Sequence, residues 1–216
     1  MKTRSGLAYR ITRRTVSIAC ASGLAMALWA ALLQPAQAHR VTPPSVPADL
    51  KVEASNKAFL KGHAVGTQNY ICVPAGSGFA WSLFTPEATL FDEHGKQIIT
   101  HFFSPNPNPS DHGAVRATWQ HSRDTSTVWA ALVGQPYTGS DFVAPGAIAW
   151  LLLQVVGAQD GAFWGDTLSP ATFVQRVNTH GGSAPSTGCA QLADVGAKAF
   201  VPYTADYFFY RSSEDQ

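Results

Sequence analysis

The sequence predicts an all-β domain, read as a single antiparallel β-sandwich with a β-barrel as the alternative. Three observations lead there. Short runs rich in alternating, β-branched and aromatic residues recur between clusters of Gly, Pro, Asn and Asp. Neither heptads nor an amphipathic helical stripe interrupts them. The 216 residues include 18 Gly and 14 Pro and are only 13% charged, a profile that suits an exported β-rich protein better than a helical bundle.

The elements follow in order. Residues 1–38 carry Lys2, Arg4, Arg10, Arg13 and Arg14, then the apolar run "VSIACASGLAMALWAALL", then Ala36-Gln37-Ala38. A basic start, an apolar middle and a small-x-small ending make a cleaved signal peptide. That ending favours cleavage over retention as an anchor. Arg13-Arg14 leaves both the general and the twin-arginine export routes open. Cleavage removes five of the 15 basic residues and none of the 14 acids, so the mature chain is near −4. No basic cluster survives, which excludes a nucleic-acid or anionic-membrane partner bound through a basic patch. With the leader gone, no membrane span remains, and the expected location is periplasmic or secreted.

Residues 39–49, "HRVTPPSVPAD", read as a proline-rich leader, mobile or draped over the surface, because three prolines block regular hydrogen bonding. Residues 50–211 read as the single β domain. "AFLKGHAVGTQNYICV" alternates as a strand. "GFAWSLFT" and "EATLFD" read as two short strands around Pro86. "DEHG" is a hairpin turn with Gly95 at positive φ. "KQIITHFF", "AVRATWQH" and "STVWAALV" are further strands. "AIAWLLLQVVGA" reads as a central strand buried on both faces. "ATFVQRVNT" and "FVPYTADYFFYR" complete the domain. In the last, alternation puts Tyr203, Tyr207 and Phe209 on one face and Phe208 and Tyr210 on the other. Residues 212–216 read as a solvated tail.

Cys20 leaves with the signal, and Cys72 and Cys189 remain. An even pair in an oxidising compartment predicts a disulfide.

Several residues could carry chemistry. "HFFSPNPNPSDHGAVRATWQH" holds His101, His112 and His121 with Asp111 and Trp119. Antiparallel neighbours could bring His101 and His121 together as ligands for zinc or copper. The competing reading is a proline-stiffened loop beside a core Trp119. A mature amino terminus at His39 could grip copper as a histidine brace. Ser183 and Ser186 lie near His180, with Gly181 and Gly182 as possible oxyanion-hole donors; a tight loop before Cys189 needs the same glycines. Arg176 sits mid-strand, so it calls for a carboxylate partner such as Asp124, Asp166 or Asp206, or else it holds an anion in a pocket. An exposed aromatic row with Trp81 or Trp164 would suit sugar stacking, although burial explains most of these rings.

The segments "GTQNYICV", "AWSLFTPEATLFDEHGKQIITHFF", "RATWQHSRDTSTVWA", "IAWLLLQVVGAQDG", "TFVQRVNTHGGSAPSTGC" and "VPYTADYFFY" together resemble an exported family described as domain of unknown function 3455, over roughly residues 50–211. The pattern is matched at Gln68, Tyr70, Cys72, Trp81, Pro86, Ala88, Leu90, Gly95 and His101. It continues through Trp119, Arg176, Thr179, Gly181, Gly182, Pro185, Cys189, Tyr203 and Tyr207. Two departures stand out. Many relatives have Asp-Gly-Ser where this chain has Asp124-Thr125-Ser126, and the stretch from His101 to Trp119 is longer than usual. The resemblance implies export and one domain, and it names no reaction.

The expected function is that of a non-catalytic envelope or secreted protein that binds a small or carbohydrate-like ligand near His101, Trp119, His121 and Arg176. The alternatives are a metal-dependent or hydrolytic secreted enzyme and a structural surface protein. No cofactor is expected beyond the copper or zinc of the metal alternative.

Overall fold

The computed structural model describes residues 41–215. The signal peptide, Cys20 and His39 lie outside that range.

Eight strands form the domain: β1 (Asn56–Ala75), β2 (Gly78–Phe91), β3 (Gln97–Pro105), β4 (Val115–His121), β5 (Thr127–Leu132), β6 (Leu151–Gln159), β7 (Ala171–Gly181) and β8 (Lys198–Ser212). Each pairs antiparallel with its neighbours in sequence, and β8 returns to pair with β1, giving a closed barrel. Of the two architectures the sequence admits, the chain takes the barrel. Closure leaves no sheet edge unpaired. The remaining regular elements of the described residues are three-residue 3-10 turns, and no helix among them is long and apolar enough to cross a membrane.

Glycine makes the closure possible. Gly62 and Gly66 sit on β1, where β1 and β2 approach closely. A Cβ at Gly66 would lie 2.1 Å from the Glu87 carbonyl oxygen and 2.5 Å from Ala88 Cα. No side chain fits there, which marks a tight bend of the wall.

Inward positions fill the barrel with Ala64, Leu90, Ile99, Trp119, Val128, Leu153, Val174, Tyr203, Tyr207 and Phe209. A second apolar cluster lies on the outer wall, where Leu152, Val177, Phe208 and Tyr210 are covered by Leu50, Val143 and Trp150. The rings of β8 therefore alternate as the sequence indicates, and both sets are buried.

Two local expectations are corrected and one open alternative is decided. The segments on either side of Pro86 form the single strand β2, because Pro86 sits opposite Gln68 beside a register shift and its pairing with β3 begins only at Ala88. A bulge accommodates the missing N–H. Of the two readings of the leader, the described part takes the draped one: Val41 and Val46 pack against the outer-wall cluster and Pro47 is buried, next to the fully buried Leu50, whose carbonyl accepts a 2.7 Å bond from Gln175 Nε2. The apolar run 147–158 is buried on both faces only around Leu152 and Leu153. β6 starts at Leu151, and Ile148 and Trp150 belong to the preceding loop.

The turn at Gly95 has φ 74°, as its sequence predicts. Thr125 has φ 62°. This is the place where the Asp-Gly-Ser pattern puts glycine, and the threonine is held there by the bond its Oγ1 accepts from the Ala162 amide at 3.2 Å.

Candidate functional site

Four connections gather at one end of the barrel: β1–β2, β3–β4, β5–β6 and β7–β8. Cys72 and Cys189 are joined, with Cα atoms 5.5 Å apart. This pins the long β7–β8 connection to the end of β1. Two further ties hold it: Cys72 N–H donates to the Ala197 carbonyl at 2.9 Å, and Trp81 Nε1 donates to the Thr187 carbonyl at 3.0 Å. Gly182 turns at φ 84°, where a Cβ would meet Tyr203 and Ile148, and its carbonyl accepts a 2.7 Å bond from the Tyr70 hydroxyl. The glycines of "HGGSAPSTGC" serve this close approach. Ser183 and Ser186 are exposed, and among the described residues neither is paired with His180.

The β3–β4 connection is equally built. Asn106, 2% exposed, bonds through Nδ2 to Asp111 and to the Val156 carbonyl, and its Oδ1 accepts from the Asn108 amide. Arg116 grips Asp111 with Nε at 2.8 Å and Nη2 at 2.6 Å. That guanidinium and the Asn106 amide hold the Asp111 carboxyl down at about 2. The stretch from His101 to His121 is thus two strands and a stapled loop, with His112 exposed at the loop's left-handed turn.

Between these connections a cavity of about 570 Å3 opens at the barrel's end, within the size range of small-ligand pockets. Its walls are mostly apolar: Leu83, Phe103, Ala117, Leu132, Ile148, Leu151 and Leu153, with Ser183 and Ala184 at the rim. Gln68, Tyr70, Arg116, Thr138 and Arg176 add polar groups to the lining.

Arg176 faces inward between Leu151 and Tyr207. Its Nε and Nη2 both donate to the Ala149 carbonyl, at 3.1 and 2.9 Å. The expected carboxylate partner is not there. Asp124 accepts from Ser126 and Thr167, Asp206 points outward to Lys61, His63 and Asn178, and Asp166 forms no ion pair among the described residues. Gln68 is 2% exposed, and among the described residues its Nε2 makes no hydrogen bond of normal geometry, although the side chain stands close enough to the Tyr203 hydroxyl to pull that phenol down against its burial. Burial raises the Tyr70 phenol, with Arg176 pulling against it, so Tyr70 is a neutral donor.

His101 and Trp119 lie one step deeper on their strands, 3% and 1% exposed. Their rings stack 4.3 Å apart, and Tyr207 packs against both. Burial pushes the imidazole down to about 3, so it is neutral. Its Nδ1 carries the proton, since its partner is the Thr118 carbonyl at 2.8 Å. His121 lies opposite Ile99, further from the mouth, with Nδ1 2.9 Å from Asp124 Oδ1. No group of three or more His, Cys, Asp or Glu that could hold a metal occurs among the described residues. Trp164 is 90% exposed in the β6–β7 connection at the opposite end, and Trp81 is tied to Thr187, so neither forms a row with the β8 rings. Gln68 stood in the family pattern without a role, and the outward-buried Gln175 carried no sequence signal beyond alternation.

Fold and cavity together define a closed eight-stranded antiparallel barrel with one open, apolar end. The family model described as "Protein of unknown function (DUF3455)" matches residues 53–211, and the chain belongs to that family. No curated protein matches it, and no solved structure does.

Proposed function

We propose that this is an exported, non-catalytic protein that holds one small molecule in the open end of its barrel. The observation that carries this reading is the cavity of about 570 Å3, walled by apolar side chains and framed by two fastened connections. An eight-stranded barrel has an interior that side chains fill or that takes one small ligand. Here the far half is filled and the near half is open. A neutral, buried His101 supports binding over acid–base chemistry. The basic, apolar leader sequence and the Cys72–Cys189 bridge support export.

The test is binding of the neutral fluorophore N-phenylnaphthylamine to the protein and to Ala117→Trp, which fills the cavity. The wild-type protein should bind it saturably and the variant should not. Equal binding to both, or none to either, would overturn the reading. N-terminal sequencing of the exported protein should begin at His39.

A further inference from the structure

We infer that the ligand is an amphipathic monocarboxylate, its carboxylate on Arg176 and Gln68 and its apolar body along Leu83, Phe103, Leu132 and Leu151. This rests on the reading of the barrel mouth as a ligand site and adds the ligand's chemistry.

The charge of the cavity selects an anion. Asp and Glu are absent from its lining. Of its two arginines, Arg116 is neutralised by Asp111 and Arg176 is not. A guanidinium in an apolar, partly desolvated site is costly without a counter-charge. One uncompensated positive charge calls for one negative charge, so a polyanion is disfavoured.

Hydrogen-bond geometry selects a carboxylate. Nε and Nη2 of Arg176 spend one edge of the guanidinium on the Ala149 carbonyl. This fixes the plane of the group and leaves the Nη1–Nη2 edge for another acceptor. That edge matches the two oxygens of a carboxylate in a bidentate fork. Gln68 Nε2 is a second donor, buried in the lining, whose approach to the Tyr203 hydroxyl falls short of a hydrogen bond among the described residues, and unsatisfied buried donors are uncommon. Tyr70 does not compete, because its hydroxyl proton is engaged by the Gly182 carbonyl. Beyond these groups the lining is mostly apolar, with Thr138 and Ser183 as its remaining uncharged polar residues, too few to satisfy the hydroxyls of a sugar acid.

Displacement of bound N-phenylnaphthylamine by decanoate, decanol and decylamine tests the inference. Decanoate should displace the probe at a concentration at least about tenfold lower than decanol, and decylamine should be the weakest. Arg176→Gln should abolish the preference for decanoate over decanol while still binding the probe, which also shows that it folds. Arg176→Lys should keep part of the preference, and Gln68→Leu should reduce it severalfold. Equal displacement by decanoate and decanol, or an unchanged preference in Arg176→Gln, would overturn the ligand class while the mouth remained a binding site. Failure of both the probe and decanoate to bind, the latter by calorimetry, would overturn the site itself.

Discussion

The imidazole of His101 lies flat on the indole of Trp119, their planes 5° from parallel and their centroids 4.3 Å apart. The stack lies deeper along β3 and β4 than Phe103 and Ala117, which line the cavity.

That burial has a pH signature. His101 is held down at about 3 from its ordinary 6.5. Between those values the unfolded chain takes up a proton that the folded chain refuses, so stability falls as pH falls. Stability from this source is fully present above about pH 6.5 and is lost progressively toward pH 3. His101→Phe should flatten this dependence. Urea midpoints measured from pH 7 to 4 check it: the wild-type midpoint should drop more steeply than the variant's, and parallel curves would show that His101 is not a buried neutral base.

Asp124 fastens the closed end. Its Oδ1 accepts from Ser126 N–H and Oγ, and its Oδ2 from Thr167 N–H. Burial acts to raise this carboxyl, but those bonds outweigh it and hold it below the usual carboxylate range. Its contribution is present above the ordinary carboxylate pKa and lost only as pH falls through the depressed value. Asp124→Ala strands these donors and should cost about 1–3 kcal/mol at neutral pH, read by denaturant unfolding. Little loss would mean that water replaces the carboxylate.

The bridge between Cys72 and Cys189 spans 117 residues of sequence. A loop of that length corresponds to roughly 4–5 kcal/mol of chain entropy. Cys72→Ser with Cys189→Ser should therefore lower stability by several kcal/mol. The same variant should weaken probe binding at the mouth, because the β7–β8 connection loses its tether. Guanidinium unfolding and a fluorescence titration measure the two effects.

Leu50 tests whether the first residue of the domain, just after the proline-rich leader, is fastened to the barrel wall. It is fully buried against the outer wall, so Leu50→Ala should cost about 2–5 kcal/mol. A surface tail would give a change near zero in the thermal midpoint.

Much of this architecture was legible locally. The strands of "KQIITHFF", "AVRATWQH", "ATFVQRVNT" and "FVPYTADYFFYR" follow from period-two patterning, which is a property of a few adjacent residues. The pairing of Cys72 with Cys189 followed from there being just two cysteines after the leader. Arg176 stood out because a mid-strand cation is costly. Other features were not local. Pro86 read as a break because its missing N–H is harmless only beside a bulge. Residues 39–49 read as either mobile or draped because the wall against which Val41 and Val46 pack includes β7 and β8, more than a hundred residues away.

The amino-acid sequence by itself determined the all-β character, most strand positions, the sulfur bridge and the cation that needs a partner, since each depends on residue type and short-range periodicity. The tertiary structure alone decided that the sheet closes, that His101 is a neutral stacked ring and that no carboxylate of the described residues pairs with Arg176. Those outcomes depend on the register between β1 and β8 and on which loops meet at one end, and long-range pairing sets both.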